Sequence, residues 1–246
     1  MEIFSSHAKD YIIYPKGKPE EPFKFVSEPV FRHDAPSRNA DDIGGVWVWV
    51  DDSGRPAVVG TVFGWTSGPN QRSVLHEFHT LSRQPIEGAW RSRDHWRPQE
   101  TMTYKPIPDA PIPHERARAR HLQMRQIARR FSAYTIDRRD QRWQLRLVPA
   151  PVYQWDVEAP SDHLGGAVFV ICQDTNTDVV LCIEAVRADD EARFVYACGS
   201  FADWEARVEL DGKEVWMAER SGIGPRGTDS PHWVRRVAPE RLPAIP

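Results

Sequence analysis

Leu145-Arg146-Leu147-Val148-Pro149-Ala150-Pro151-Val152-Tyr153 has a counterpart earlier in the chain, Phe23-Lys24-Phe25-Val26-Ser27-Glu28-Pro29-Val30-Phe31. Apolar falls on apolar and basic on basic, and Val-x-x-Pro-Val-aromatic aligns without a gap. Asp34 falls on Asp156 and, after one slip, Asp41 falls on Asp162. The same slip brings Gly44-Gly45 onto Gly165-Gly166. Further on, Val58-Val59 meets Val179-Val180 and Trp96 meets Trp216. The reading is an internal duplication with cores at 23–96 and 145–216.

The strand after each glycine pair is the clearest local signal. In Val46-Trp47-Val48-Trp49-Val50 the valines point one way and the tryptophans the other. In the second copy Ala167, Phe169 and Ile171 alternate with Val168 and Val170. A strand apolar on both sides has to be covered on both sides. One face goes under a helix and the remaining faces have to meet each other.

Only one segment has helical spacing. Ala117, His121, Met124, Ile127, Ala128 and Phe131 share one arc, with Arg118, Arg125 and Arg129 on another. The fold class is therefore α+β: mostly antiparallel sheet, two homologous β-rich repeats and one amphipathic helix between them. Residues 1–104 form the first repeat and Pro-rich 105–113 a stiff linker. Residues 114–217 hold the helix and second repeat, and 218–246 form an irregular tail pinned by His232-Trp233-Val234.

Leu122-Gln123-Met124-Arg125 through Phe131, then Leu145-Arg146-Leu147, Pro151-Val152-Tyr153 and the Gly-Ala-Val-Phe strand, resemble a group of uncharacterised proteins abundant in planctomycete bacteria. His76 to Leu81 and the Gly-Val-Trp-Val-Trp strand fit the same resemblance. It covers most of 23–216 and implies architecture without an activity.

The totals exclude several function classes. A net charge of −3 gives no global field toward nucleic acid or an anionic membrane. Cys172, Cys182 and Cys198 lie in apolar runs without Cys-x-x-Cys spacing, which speaks for buried free thiols. No signal-peptide pattern opens the chain and no apolar run reaches membrane length, so a cytoplasmic location without membrane contact is expected. No dinucleotide, phosphate-loop or nucleophile-elbow motif occurs, so no cofactor is expected.

Three stretches carry candidate chemistry. His76-Glu77-Phe78-His79 is the densest titratable cluster. On a strand Glu77 and His79 share one face, about 7 Å apart, while His76 takes the other. Glu77 and His79 could work as an acid–base pair, completed by Asp94 or His95, in a hydrolase or metal-dependent enzyme. They fit a half-exposed structural strand as well. Aligned on the tryptophans, Glu77 meets Ala197, His79 meets Gly199, and His76 meets Tyr196.

The second stretch is the arginine face of 114–131, where Arg118, Arg125 and Arg129 could hold phosphates. No nucleic-acid-binding signature accompanies it, so nucleic acid is disfavoured as a partner. Trp47 and Trp49 are the third, as a stacking surface or as core. Without a catalytic motif, the favoured function is a non-catalytic tandem-repeat binding or assembly protein, its partner a protein or small ligand.

Overall fold

A computed structural model of the chain describes residues 1–34, 42–68, 71–92, 94–158, 161–188, 191–220 and 228–241, with the backbone alone for Asp94 and for 238–241. Asp41, one of the residues matched between the repeats, lies outside the described residues. The first half runs α1 (Glu2–Lys9), β1 (Tyr11–Pro15), β2 (Lys24–Phe25), β3 (Phe31–Asp34), β4 (Ile43–Val50), β5 (Pro56–Gly68), β6 (Gln71–Thr80), β7 (Ile86–Trp90), β8 (Asp94–Trp96) and β9 (Lys105–Pro106). The second runs α2 (Ala117–Ala128), β10 (Phe131–Ile136), β11 (Arg142–Gln144), β12 (Arg146–Leu147), β13 (Tyr153–Asp156), β14 (His163–Gln173), β15 (Asn176–Ala188), β16 (Glu191–Ser200), β17 (Glu205–Leu210), β18 (Lys213–Ala218) and β19 (His232–Arg241).

The strands of the described residues form four antiparallel sheets. Two are large: β19-β6-β5-β4-β2 with β3 also on β4, and β9-β16-β15-β14-β12 with β13 also on β14. Two are small: β1-β7-β8, and β11-β10-β17-β18. Apart from β11, the strand order is the same in both halves. The last strand of each half is exchanged. Strand β9 leaves the first half to pair Tyr196 through Lys105, and β19 leaves the second to pair His76 through Arg235.

Apolar faces order the layers. Val46, Val48, Val50 and Val59 meet Val168, Val180 and Cys182, so the two large sheets share a seam. The opposite face of the first sheet, with Trp47, Trp49 and Val62, is covered by Phe4 and Ala8 of α1 and by the small sheet. The opposite face of the second, with Phe169, Ile171 and Leu181, is covered by Met124 and Ile127 of α2 and by its own small sheet. Every large-sheet face is thus closed by apolar contact, the main driving force available to a chain of this size.

Several expectations are corrected. Among the described residues there are two helices, because Phe4 and Ala8 supply α1 with an apolar face too short to show as a period. The tail contains a ten-residue strand, β19, since Trp233, Val234 and Val237 are buried on β6. The glycine pairs are offset by one. Phe31 pairs Val46 and Tyr153 pairs Val168, so Val46 corresponds to Val168, Trp47 to Phe169 and Gly44 to Gly166.

Gly44 and Gly166 lack a side chain for the same reason. A Cβ on Gly44 would run into the His33 ring, and one on Gly166 into the Trp155 ring. Each ring crosses from the neighbouring short strand onto the glycine. The Asp211-Gly212 turn forms as its residues predict, both with positive φ, joining β17 to β18.

Candidate functional site

Alternation along β6 sends its candidate residues to two faces. His76 points toward α1 and is fully buried. Its Nδ1 accepts the Tyr11 hydroxyl at 2.6 Å, and its Nε2 therefore donates to His7 Nδ1 at 2.8 Å. Burial, with His7 and Arg235 beside it, holds His76 well below the usual imidazole range. Burial also raises the Tyr11 phenol. His76 and Tyr11 are therefore neutral at pH 7, in a buried relay with His7. The second half has Ile127, Phe131 and Tyr196 at the corresponding places, with the last two rings 5.1 Å apart.

Glu77 and His79 face the seam but line different cavities. Glu77 lines one of about 200 Å³ with Asp42, Asp203 and Arg236. His79 lines one of about 440 Å³ with His232, Lys105 and Thr101. The His79 Nδ1–H donates to the Thr80 carbonyl at 2.8 Å, and its ring stacks on His232 at 6.1 Å. The side chain of Asp94 lies outside the described residues, and His95 is exposed on β8. Shared orientation on one strand does not bring Glu77 and His79 into one site.

Trp47 and Trp49 are 0% and 1% exposed. They are core and offer no stacking surface, because α1 covers the face that the sequence left open. Arg118, Arg125 and Arg129 are exposed on α2, while Met124 and Ile127 beneath them are buried. Arg120, from the same arginine run, is buried. It donates to Asp156 at 2.7 Å and to the carbonyls of Leu164, His114 and Glu115, tying α2 to β13 and β14.

The most elaborate polar group in the seam was missed from sequence. Glu184, 2% exposed, accepts Arg55 Nε and Arg83 Nη2, each at 2.8 Å. Both guanidinium groups lie over the Tyr104 ring, Arg83 at 4.0 Å and Arg55 at 5.5 Å. Tyr104 donates its hydroxyl to the Leu81 carbonyl at 3.0 Å. His163 Nδ1 is 3.9 Å from Glu184, and burial keeps its pKa below the usual value although Glu184 opposes that. Burial, then Glu184, pushes the nearby Cys182 thiol up to about 12, so it is no nucleophile. A cavity of about 370 Å³ opens beside Arg55, Arg83 and His163. The legible signal was Glu184 itself, a carboxylate within the apolar run Val179 to Val186.

The cavity beside Glu77 occupies the corresponding place in the other half. Thr80 Oγ1 accepts Ser82 N–H at 3.1 Å, and Ser200 Oγ accepts Ala202 N–H at 3.0 Å, so Arg83 corresponds to Asp203. Strand pairing sets Glu184 against Val195 and Phe63 against Leu75, so Glu184 corresponds to Phe63. Among the described residues no group of three His, Cys, Asp or Glu side chains is placed to hold a metal ion. No helix among them is long and apolar enough to cross a membrane. Comparison with protein-family models, curated proteins and solved structures found no match for this chain.

Proposed function

We propose that the protein is a non-catalytic binding protein made of two fused copies of one β-rich unit, taking a small polar ligand in a cleft along the seam between them. The common strand order and the reciprocal exchange of β9 and β19 support the duplication. One observation carries the binding reading. Clefts at corresponding places in the two halves differ in charge, Arg55 and Arg83 beside Asp51 in one and Asp42, Glu77 and Asp203 beside Arg236 in the other. A seam serving only to hold the halves together gains nothing from that divergence, since a buried ion pair stabilises little compared with apolar packing. Clefts between units, with a few convergent polar groups, are where small ligands are usually taken.

Glu77 and His79 as acid and base do not enter this reading, because they line different cavities. The test is a thermal-shift screen of the whole chain against small carboxylates, phosphates, sugars and amines. One class should raise the unfolding midpoint saturably without being consumed, and variants of cleft-lining residues should abolish the shift. Turnover of the ligand, or shifts indifferent to every seam variant, would overturn the proposal.

A further inference from the structure

The Glu184 carboxylate beside this cleft is bonded to more positive charge than it needs. One guanidinium would neutralise Glu184, yet two are bonded to it. Arg55 is the inner one, 11% exposed and anchored also on the Leu81 carbonyl. Arg83 is the outer one, 37% exposed. Its Nη2 is held by Glu184 and its plane by Tyr104. Among the described residues its Nε and Nη1 make no hydrogen bond. The guanidinium is thus fixed on two sides with a fork of N–H donors left over, the geometry that suits a planar or tetrahedral oxyanion.

The cleft's other groups fit the same ligand. Ser161 Oγ accepts the His163 N–H at 3.0 Å, which leaves its own hydroxyl hydrogen to donate. Asp51 also lines the cleft and its charge counts against an anion, but its Oδ1 is turned to the N–H groups of Ser53 and Arg55 and to the Ser53 hydroxyl, and it makes no hydrogen bond to Arg83. The corresponding place in the other half has no such triad, so the fold itself does not require one.

We propose that Arg83, buttressed by Glu184 and Tyr104, binds the carboxylate or phosphate group of a small ligand in this cleft, with Arg55 and Ser161 as additional donors. This rests on the reading of the seam clefts as ligand sites and adds the ligand's class. A pre-set guanidinium gains affinity because little side-chain freedom is left to lose on binding.

The experiment is calorimetric titration of the whole chain with inorganic phosphate and, separately, with succinate, at low and at raised salt. At least one of the two should bind saturably at one site and more weakly at raised salt, the pair deciding between phosphate and carboxylate. Arg83→Gln should weaken that binding about tenfold or more, and Arg118→Gln on α2 should leave it unchanged. Arg83→Gln leaves Glu184 paired with Arg55, so its unfolding midpoint without ligand should stay within about 5 °C of the parent. This separates a lost ligand contact from a lost fold. If neither anion binds, or if Arg83→Gln binds as tightly as the parent, the oxyanion assignment is wrong. A neutral or cationic ligand that still stabilises the chain through this cleft would then leave the binding reading standing without it.

Discussion

His79 on β6 and Gly199 on β16 hold corresponding places in the two halves, and each is the other's neighbour across the seam. Val59 pairs His79 as Val180 pairs Gly199. A Cβ added to Gly199 would lie 2.8 Å from His79 Cγ and 3.0 Å from Nδ1. Only one side chain fits where the two halves meet, and the glycine leaves that space to the imidazole. The exchange read from the aligned strands is therefore one steric event at a shared contact.

Gly199→Ala should cost about 1–3 kcal/mol, the usual penalty for overfilling a packed site. His79→Gly in the same chain should recover much of that loss, since it empties the place the new methyl needs. Urea unfolding of the parent, both single variants and the double variant measures the coupling. Additive effects would show that the two residues do not share the space.

The relay of Tyr11, His76 and His7 should make stability depend on pH. The folded-state pKa of His76 is depressed, while an unfolded histidine takes up its proton near 6.5. Above that value both states are neutral there and the contribution is complete. As pH falls below about 6.5 the unfolded state binds the proton and the folded state resists it, so stability declines by up to about 1.4 kcal/mol per pH unit. Rebuilding the second half's version, with His7→Ile, Tyr11→Phe and His76→Tyr together, should flatten the decline between about pH 5 and 6.5. Denaturant midpoints across that range are the readout.

Arg120 and its exposed neighbours should differ sharply. Arg120→Leu deserts three carbonyls and Asp156, at a cost of about 3 kcal/mol. Substituting Arg118, Arg125 or Arg129 by Gln should change stability by less than about 0.5 kcal/mol. Met124→Ala beneath them should cost about 2–5 kcal/mol, because it opens a cavity. Equilibrium unfolding ranks the five.

The exchanged strands should hold the halves together without the covalent link. A protease site placed at 109–112 and cut after folding should leave fragments that elute as one species. Their separation in native buffer would mean that β9, β19 and the seam contribute less than their buried area suggests.

What the residues alone settled were the local periods. Val46 to Val50, Phe169 to Ile171 and the Met124 to Ala128 arc fixed strands, helix and buried faces, because alternation and the 3.6-residue repeat act within a few residues, whereas Phe131, read on the same arc, opens β10 instead. The match of β6 to β16 was legible for the same reason: the pattern there differs between faces. At β4 and β14 both faces are apolar, so a slip of one residue leaves the pattern intact, and only pairing to β3 and β13 showed Trp47 opposite the place first given to it. The exchange of β9 and β19, and the meeting of Arg55 and Arg83 with Glu184, join residues about ninety positions or more apart. No local period encodes which distant partner a buried charge or an open strand edge will find. The packing of the two large sheets decided that, by bringing those groups to one seam where each had to be neutralised or paired.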